Sequence, residues 1–465
     1  MNVQVAAKAL LYGKAAEKGL TGDVFCMTGE KGAVFVSRIT VPIVDYSSNY
    51  TRGVHQLANA GPGNYFLQLF LPSGRVITTD FEIISDKPTQ VIIELPHEGP
   101  HEWTTLHALT GQFKQDVFQT KKLAASRPMT TASYAELTVN PFKGYSLGLL
   151  KPGKSSGGDV FDDLLTLPNL ARLIQENTDL ETAMHHIGTP SDIVQPSFED
   201  NHFAVFRIAH EGLLDHGNKA PDVSGFGWDS DLHRQYLVQK SSSGGTLTCL
   251  PTPWTTPSGQ AEVELLFKKS SLADMPDVTM TIGDPMINSV LGYINTGAIQ
   301  KAAELVDFNN ARDMLFDKVS YPFTATVGGY LLVFGINRNT YLSQSDNWKA
   351  WVKNLDKWFK WLPDGALLHA ALYFILKGVD REEAYDALMR ACDRGLPFFT
   401  FGLKLLVDAL RFFARDGDDQ ARDRLPLIEA IANQTDPSQP FLTVRFSNHW
   451  KTKSLQAEEM TPNVR

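Results

Sequence analysis

The strongest constraint on this chain is a change in hydrophobic period. Up to about residue 284 the apolar residues fall in short runs, some of them strictly alternating, as at Leu67, Leu69 and Leu71. From Pro285 to Asn433 they recur at helical spacing. Alternation buries one face of a strand, whereas spacing at i, i+3, i+4 and i+7 buries one face of a helix. The chain has 465 residues, enough for two to four domains. The expected fold class is multidomain α+β: an N-terminal β-sandwich over 1–110, a mixed, mostly β middle domain over 111–284, and a C-terminal all-α helical array over 285–435. A short strand and a disordered tail are expected over 436–465.

The first hundred residues carry apolar runs at Val24–Met27, Ala33–Ile39, Tyr65–Leu71, Arg75–Ile84 and Gln90–Leu95. Turn residues separate them, including Gly61-Pro62-Gly63 and Pro72-Ser73-Gly74, the pattern of short antiparallel strands. The stretch Gly61 to Pro96 resembles the carboxypeptidase-regulatory-like (transthyretin-like) sandwich. It shares a Pro-Gly-x-Tyr entry, a strand, a Gly turn, a second strand and a final apolar strand. The resemblance covers about a fifth of the chain and implies a non-catalytic appendage.

Charge and cysteine content narrow the classes. Lys+Arg 43 against Asp+Glu 52 leaves a net charge of −9, a poor basis for general nucleic-acid binding. No run reaches the roughly 18 apolar residues of a membrane span, so no integral membrane association is expected. The first 22 residues lack the basic start, apolar core and small-residue cleavage site of a signal peptide. Cys26, Cys249 and Cys392 are odd in number and far apart, with no CxxC spacing. A reduced, cytoplasmic protein without cofactors is the expectation.

Several motifs look like chemistry and fail on context. His97-Glu98-Gly99-Pro100-His101 has the letters of the zinc-protease pattern, which needs both histidines on one helical face. The Gly-Pro pair inside it breaks a helix there. Gly144-Tyr145-Ser146-Leu147-Gly148 has the letters of a nucleophile elbow, but neither flank supplies the required strand before and helix after. No Walker or G-x-G-x-x-G pattern is present. The best catalytic candidate is the polar stretch 199–233. There His210, His216, Asp229, Asp231 and His233 bring together imidazoles and carboxylates, the ligand types of zinc or non-haem iron. A metal-assisted hydrolase is the alternative reading that rests on them.

The helical part has sharper features. Asp380 followed by Glu383 has the form of a capping box. Leu-Pro recurs at Leu362-Pro363, Leu396-Pro397 and Leu425-Pro426, where proline suits the first turn of a helix. Trp348, Trp351, Trp358 and Trp361 form a wide apolar stripe with Val352, Leu355, Phe359 and Leu362, while Lys349, Lys353, Lys357 and Lys360 cover much of the other side. A buried helix of the array explains such a stripe. A docking surface explains it too, since tryptophan is enriched at interface hot spots; the partner-binding candidates are Trp348, Trp351, Lys353 and Trp358. The runs Pro322–Leu331 and Trp361–Gly365 resemble bacterial proteins that accompany caspase-like or CHAT-type peptidases. That resemblance implies a partner or substrate of such a peptidase in a defence or signalling system. The leading expectation is therefore a non-enzymatic scaffold or adaptor that binds a protein partner through its helical array.

Overall fold

A computed structural model gives the fold. It describes residues 2–9, 16–28, 32–45, 54–57, 60–71, 76–85 and 88–95; the segments 146–150, 198–199, 203–208, 235–241, 244–251, 254–256, 259–261, 263–268 and 277–282; and residues 284–306, 308–335, 347–375 and 380–447. The protein is mixed α/β, with an N-terminal sheet region and a C-terminal helical region. It divides into two compact units. The first comprises Met1–Ser126, Val278–Met314 and Val327–Gln344; the second comprises Arg127–Asp277, Leu315–Thr326 and Ser345–Arg465.

In the first unit, strands β1 (Asn2–Ala9), β2 (Ala16–Thr28), β3 (Gly32–Asp45), β4 (Val54–Gln56), β5 (Gly63–Phe70), β6 (Val76–Ile83) and β7 (Thr89–Glu94) share one sheet. Its order is β4-β1-β3-β2-β5-β6, with β7 parallel to β1. The alternation noted in the sequence is realised in β5: Tyr65, Leu67 and Leu69 are buried, and Phe66, Gln68 and Phe70 less so. β1 carries no such signal, because Ala6, Ala7 and Lys8 are not strand formers. Its place is set by neighbours instead, with β7, β3 and β4 all pairing to it.

Two helices follow in this unit: α1 (Pro285–Asn295) and α2 (Ile299–Leu305). One helix is expected over 287–306, yet the chain breaks at Gly297, which takes φ +81, a conformation that L side chains rarely adopt. Asp284 caps α1 by accepting from the N–H groups of Met286 and Ile287, and Pro285 occupies the first turn. Tyr293 ties α1 to the sheet: its hydroxyl donates to the Phe70 carbonyl at 2.9 Å and accepts from the Thr21 N–H at 3.1 Å. Burial pushes the phenol up to about 12. A charged cluster binds α2 to the hairpin β2–β3. Arg38 donates to Asp23 at 2.6 Å, Lys301 reaches Asp23 at 3.2 Å, and Glu304 receives both cations.

The second unit holds an antiparallel sheet of β8 (Ser146–Leu150), β11 (Gln235–Ser241), β12 (Gly244–Leu250) and β17 (Thr443–Ser447), in the order β17-β12-β11-β8. β9 (Phe198–Glu199), β10 (Phe203–Ile208) and β15 (Val263–Lys268) pair antiparallel, and β13 (Trp254–Thr256) with β14 (Gly259–Ala261) form a hairpin. β16 (Asp277–Ile282) leads into α1. Ser146 lies in β8, which continues as a strand to Leu150 where an elbow needs a helix after the serine.

Helices α3 (Phe308–Phe316) and α4 (Pro322–Tyr330) precede a π-helical turn at Leu331–Gly335. The helices of the second unit follow: α5 (Asn347–Trp358), α6 (Pro363–Ile375), α7 (Arg381–Asp393), α8 (Thr400–Arg415) and α9 (Asp419–Asn433). The unit's aromatic core centres on Trp254. Its ring stacks on Phe323 at 5.5 Å and meets Phe399 and Phe441 edge-on at 6.5 and 6.3 Å. Phe323 in turn meets Trp361 and Phe398 edge-on, the offset geometry that aromatic quadrupoles favour.

Candidate functional site

α5 presents two different chemistries on two sides. Its inward side is fixed by Trp348, Val352 and Leu355, all buried, with Phe359 just past its end. Trp348, at 8% exposure, is therefore a packing residue. α6 approaches closely enough that a Cβ added at Gly365 would lie 3.1 Å from the Leu355 carbonyl oxygen. Among these apolar contacts lies Asp356, fully buried. A buried carboxylate needs compensating partners, and the neighbouring helices supply them.

His369 Nδ1 of α6 stands 2.7 Å from Asp356 Oδ2. Arg390 of α7 donates to the same oxygen at 2.6 Å, and Arg394 lies 2.8 Å from Oδ1. Arg394 also donates to the carbonyls of Asp356 and Leu362. Burial works to raise the Asp356 pKa, but the His369 contact and the two guanidinium groups outweigh it and hold the carboxyl well below the usual range. Glu383 of α7 faces the other side of the imidazole, with Oε1 3.2 Å from His369 Nε2. The bond from Lys353 and, against it, partial burial leave Glu383 below its ordinary value. Asp380 caps α7 as expected, accepting from the Glu382 N–H at 3.0 Å. Glu383 instead turns toward Lys353 and His369.

This cluster has the composition of an acid–base site and the geometry of a structural one. His369 is 1% exposed, and each ring nitrogen faces a carboxylate. The ring is enclosed: Nδ1 is bonded to Asp356, and Nε2 lies near Glu383 without completing a hydrogen bond. The carboxylates flank the ring on opposite sides, so they do not converge on one ion. Among the described residues no three His, Cys, Asp or Glu side chains gather as a metal site. The thiol of Cys392, also on α7 and facing Arg424, is pushed up to about 11 by burial, which is the reverse of nucleophile activation.

The outward side of α5 is aromatic. Trp358 is 37% exposed, Trp351 is half-buried, and Phe316 from the end of α3 is 58% exposed. Phe316 and Trp351 meet edge-to-face at 5.0 Å. Lys318 is buried beneath them. Its ammonium lies 5.1 Å from the Trp358 ring centre and 5.7 Å from that of Trp351, and donates to the Phe316 carbonyl at 3.4 Å. Burial lowers the Lys318 pKa, opposed by the charge of Asp317. The cation–π contacts hold the two indoles in place from below. A rigid group of large rings is thus open to solvent at the surface.

Residues 289–460 match the family model for the Y4kD C-terminal domain. The matched stretch contains α2 to α9 and β17, and with them both sides of α5. No curated protein and no solved structure matches the chain.

The sequence-derived candidates fall in different places. Trp351 and Trp358 stand at the open aromatic surface, Trp348 lies inside, and Lys353 is committed to Glu383. His210, His216, Asp229, Asp231 and His233 lie outside the described residues, as do His97 to His101. Sequence reasoning missed Phe316, Lys318, Asp356, His369, Arg390 and Arg394, and read Glu383 only as half of a capping box. Two of these left a trace: His369 interrupts the otherwise apolar run Gly365–Leu372, and Asp356 interrupts the apolar stripe between Leu355 and Phe359.

Proposed function

We propose that the chain is a non-enzymatic scaffold or adaptor whose helical region, within 289–460, binds a protein partner. The observation that carries this reading is the cluster of exposed Phe316 and Trp358 with half-buried Trp351 on a buttressed surface. Large rings held rigid at a surface lose little entropy on binding, and such residues dominate interface energies. In this reading Trp351 and Trp358 meet the partner, while Trp348 and Lys353 hold α5 in position. The N-terminal sheet serves as a regulatory-like, non-catalytic appendage. The resemblance of Pro322–Leu331 and Trp361–Gly365 supports a place beside a caspase-like peptidase in a bacterial defence or signalling system, in the cytoplasm. No described helix is long and apolar enough to cross a membrane, which agrees with an interaction surface and not a span.

The test is affinity purification of the tagged full-length chain from native lysate, read by quantitative mass spectrometry. Three baits run in parallel: wild type, F316A/W358A, and F374A/F412A. The last pair is a control on rings of similar exposure, Phe374 at 39% and Phe412 at 41%. A stoichiometric partner lost with F316A/W358A and kept with F374A/F412A supports the reading. A partner kept by both variants overturns it.

A further inference from the structure

The aromatic surface of α5 has a charge as well as a shape. The whole chain is acidic, at −9. α5 runs the other way, carrying Lys349, Lys353 and Lys357, with Lys360 just past its end. Its one carboxylate, Asp356, is buried and neutralised from below by Arg390 and Arg394. Lys357 and Lys360 are exposed, and the Lys318 ammonium adds a positive charge under the rings. Lys357 also complements the negative end of the helix dipole. On the other flank, Asp317 stands exposed next to Phe316. The surface is therefore polarised: basic toward the C-terminal end of α5, acidic beside the end of α3.

Resting on the docking reading above, we infer that this surface takes an acidic polypeptide segment with apolar anchors. The anchors seat against Phe316, Trp351 and Trp358, and the carboxylates of the segment face Lys357 and Lys360. Charge complementarity of this kind fixes orientation and speeds association. The same observations weigh against two other anionic occupants. A lipid surface calls for a continuous apolar helix face, and in α5 that face is already buried through Trp348, Val352 and Leu355. A nucleic acid follows a basic track, and here the track ends at Asp317.

The test is a display selection of random peptides against the full-length chain, counter-selected on full-length F316A/W358A. Enriched peptides are expected to combine Asp or Glu with Trp, Phe or Leu. Made synthetically, they should weaken by about tenfold or more on F316A/W358A, and by about threefold or more on K357E/K360E or when salt is raised. The lysine variant alters only exposed side chains, so it keeps the test valid if the ring variant folds poorly. Ring-dependent peptides that are neutral or basic, or indifferent to K357E/K360E, overturn the inference and leave the docking reading standing. Peptides indifferent to F316A/W358A remove both. Phosphatidylglycerol vesicles and single-stranded homopolymer DNA run as parallel probes; lysine-dependent binding to either, without ring-dependent acidic peptides, also overturns the inference.

Discussion

Among the described residues, a cluster of two carboxylates and several cations occurs in each unit, and these two clusters behave differently. In the first unit Asp23 and Glu304 share Arg38 and Lys301 where hairpin β2–β3 meets α2, and Arg38 is 44% exposed. In the second, Asp356 and Glu383 flank His369 among α5, α6 and α7, with Asp356 and His369 fully enclosed. The ingredients are alike and the burial differs. An exposed pair gains little from its Coulomb energy, whereas a buried one becomes indispensable once its partners are committed to it. The lesson concerns what the second cluster does. It holds three helices in register and so fixes the aromatic side of α5 at the surface.

The largest expected break in this comparison is Asp356→Asn. Removing that charge strands Arg390 and Arg394 and should cost about 3–5 kcal/mol, read from urea unfolding of the full chain. The mirror change, Arg38→Met, leaves Asp23 with Lys301 and should cost less than about 1 kcal/mol. Equal losses for the two would erase the distinction.

Acid sharpens it. Asp356 and Glu383 both bind protons less tightly folded than unfolded. Their stabilisation is complete above the ordinary carboxylate range of about 4 and fades as pH falls below it. In the first cluster the signs oppose. Asp23 is lowered, because the Arg38 and Lys301 bonds outweigh the burial that would raise it. Glu304 is raised, because burial outweighs the attraction of Lys301 and Arg38. A raised carboxyl gains relative stability as pH falls through its folded value, and this offsets Asp23. Hydrogen exchange, corrected for its intrinsic pH dependence, should show α5–α7 loosening before β2–β3 and α2 on acidification.

Smaller effects follow from packing. Gly365→Ala pushes a methyl against the Leu355 backbone and should cost about 1–3 kcal/mol. Phe316→Ala removes an exposed ring and one edge-to-face contact, and should cost about 0.5–1.5 kcal/mol at most. Thermal denaturation of both variants checks the order.

Much of this fold is written locally. The alternation of β5, the Asp380 cap and the stripe of α5 are each set by residues a few positions apart, so the sequence pattern displays them. The break at Gly297 and the change from α4 to a π-helical turn are local too, but the apolar pattern runs through both without a mark. The charge cluster is legible only in part, since its members come from three helices and nothing in their spacing brings them together. The aromatic surface depends on Phe316, which ends α3 and meets Trp351 only through tertiary packing. The tryptophan stripe was visible, yet which of its members face water was decided by α6 and α7.

The most direct test of the central claim is a hydrogen-exchange footprint of the copurified partner on the full-length chain. Protection at 315–318 and 347–360 is the result predicted here. Protection confined to the β2–β3 hairpin, where Met27, Val34 and Phe35 are also exposed, would contradict it.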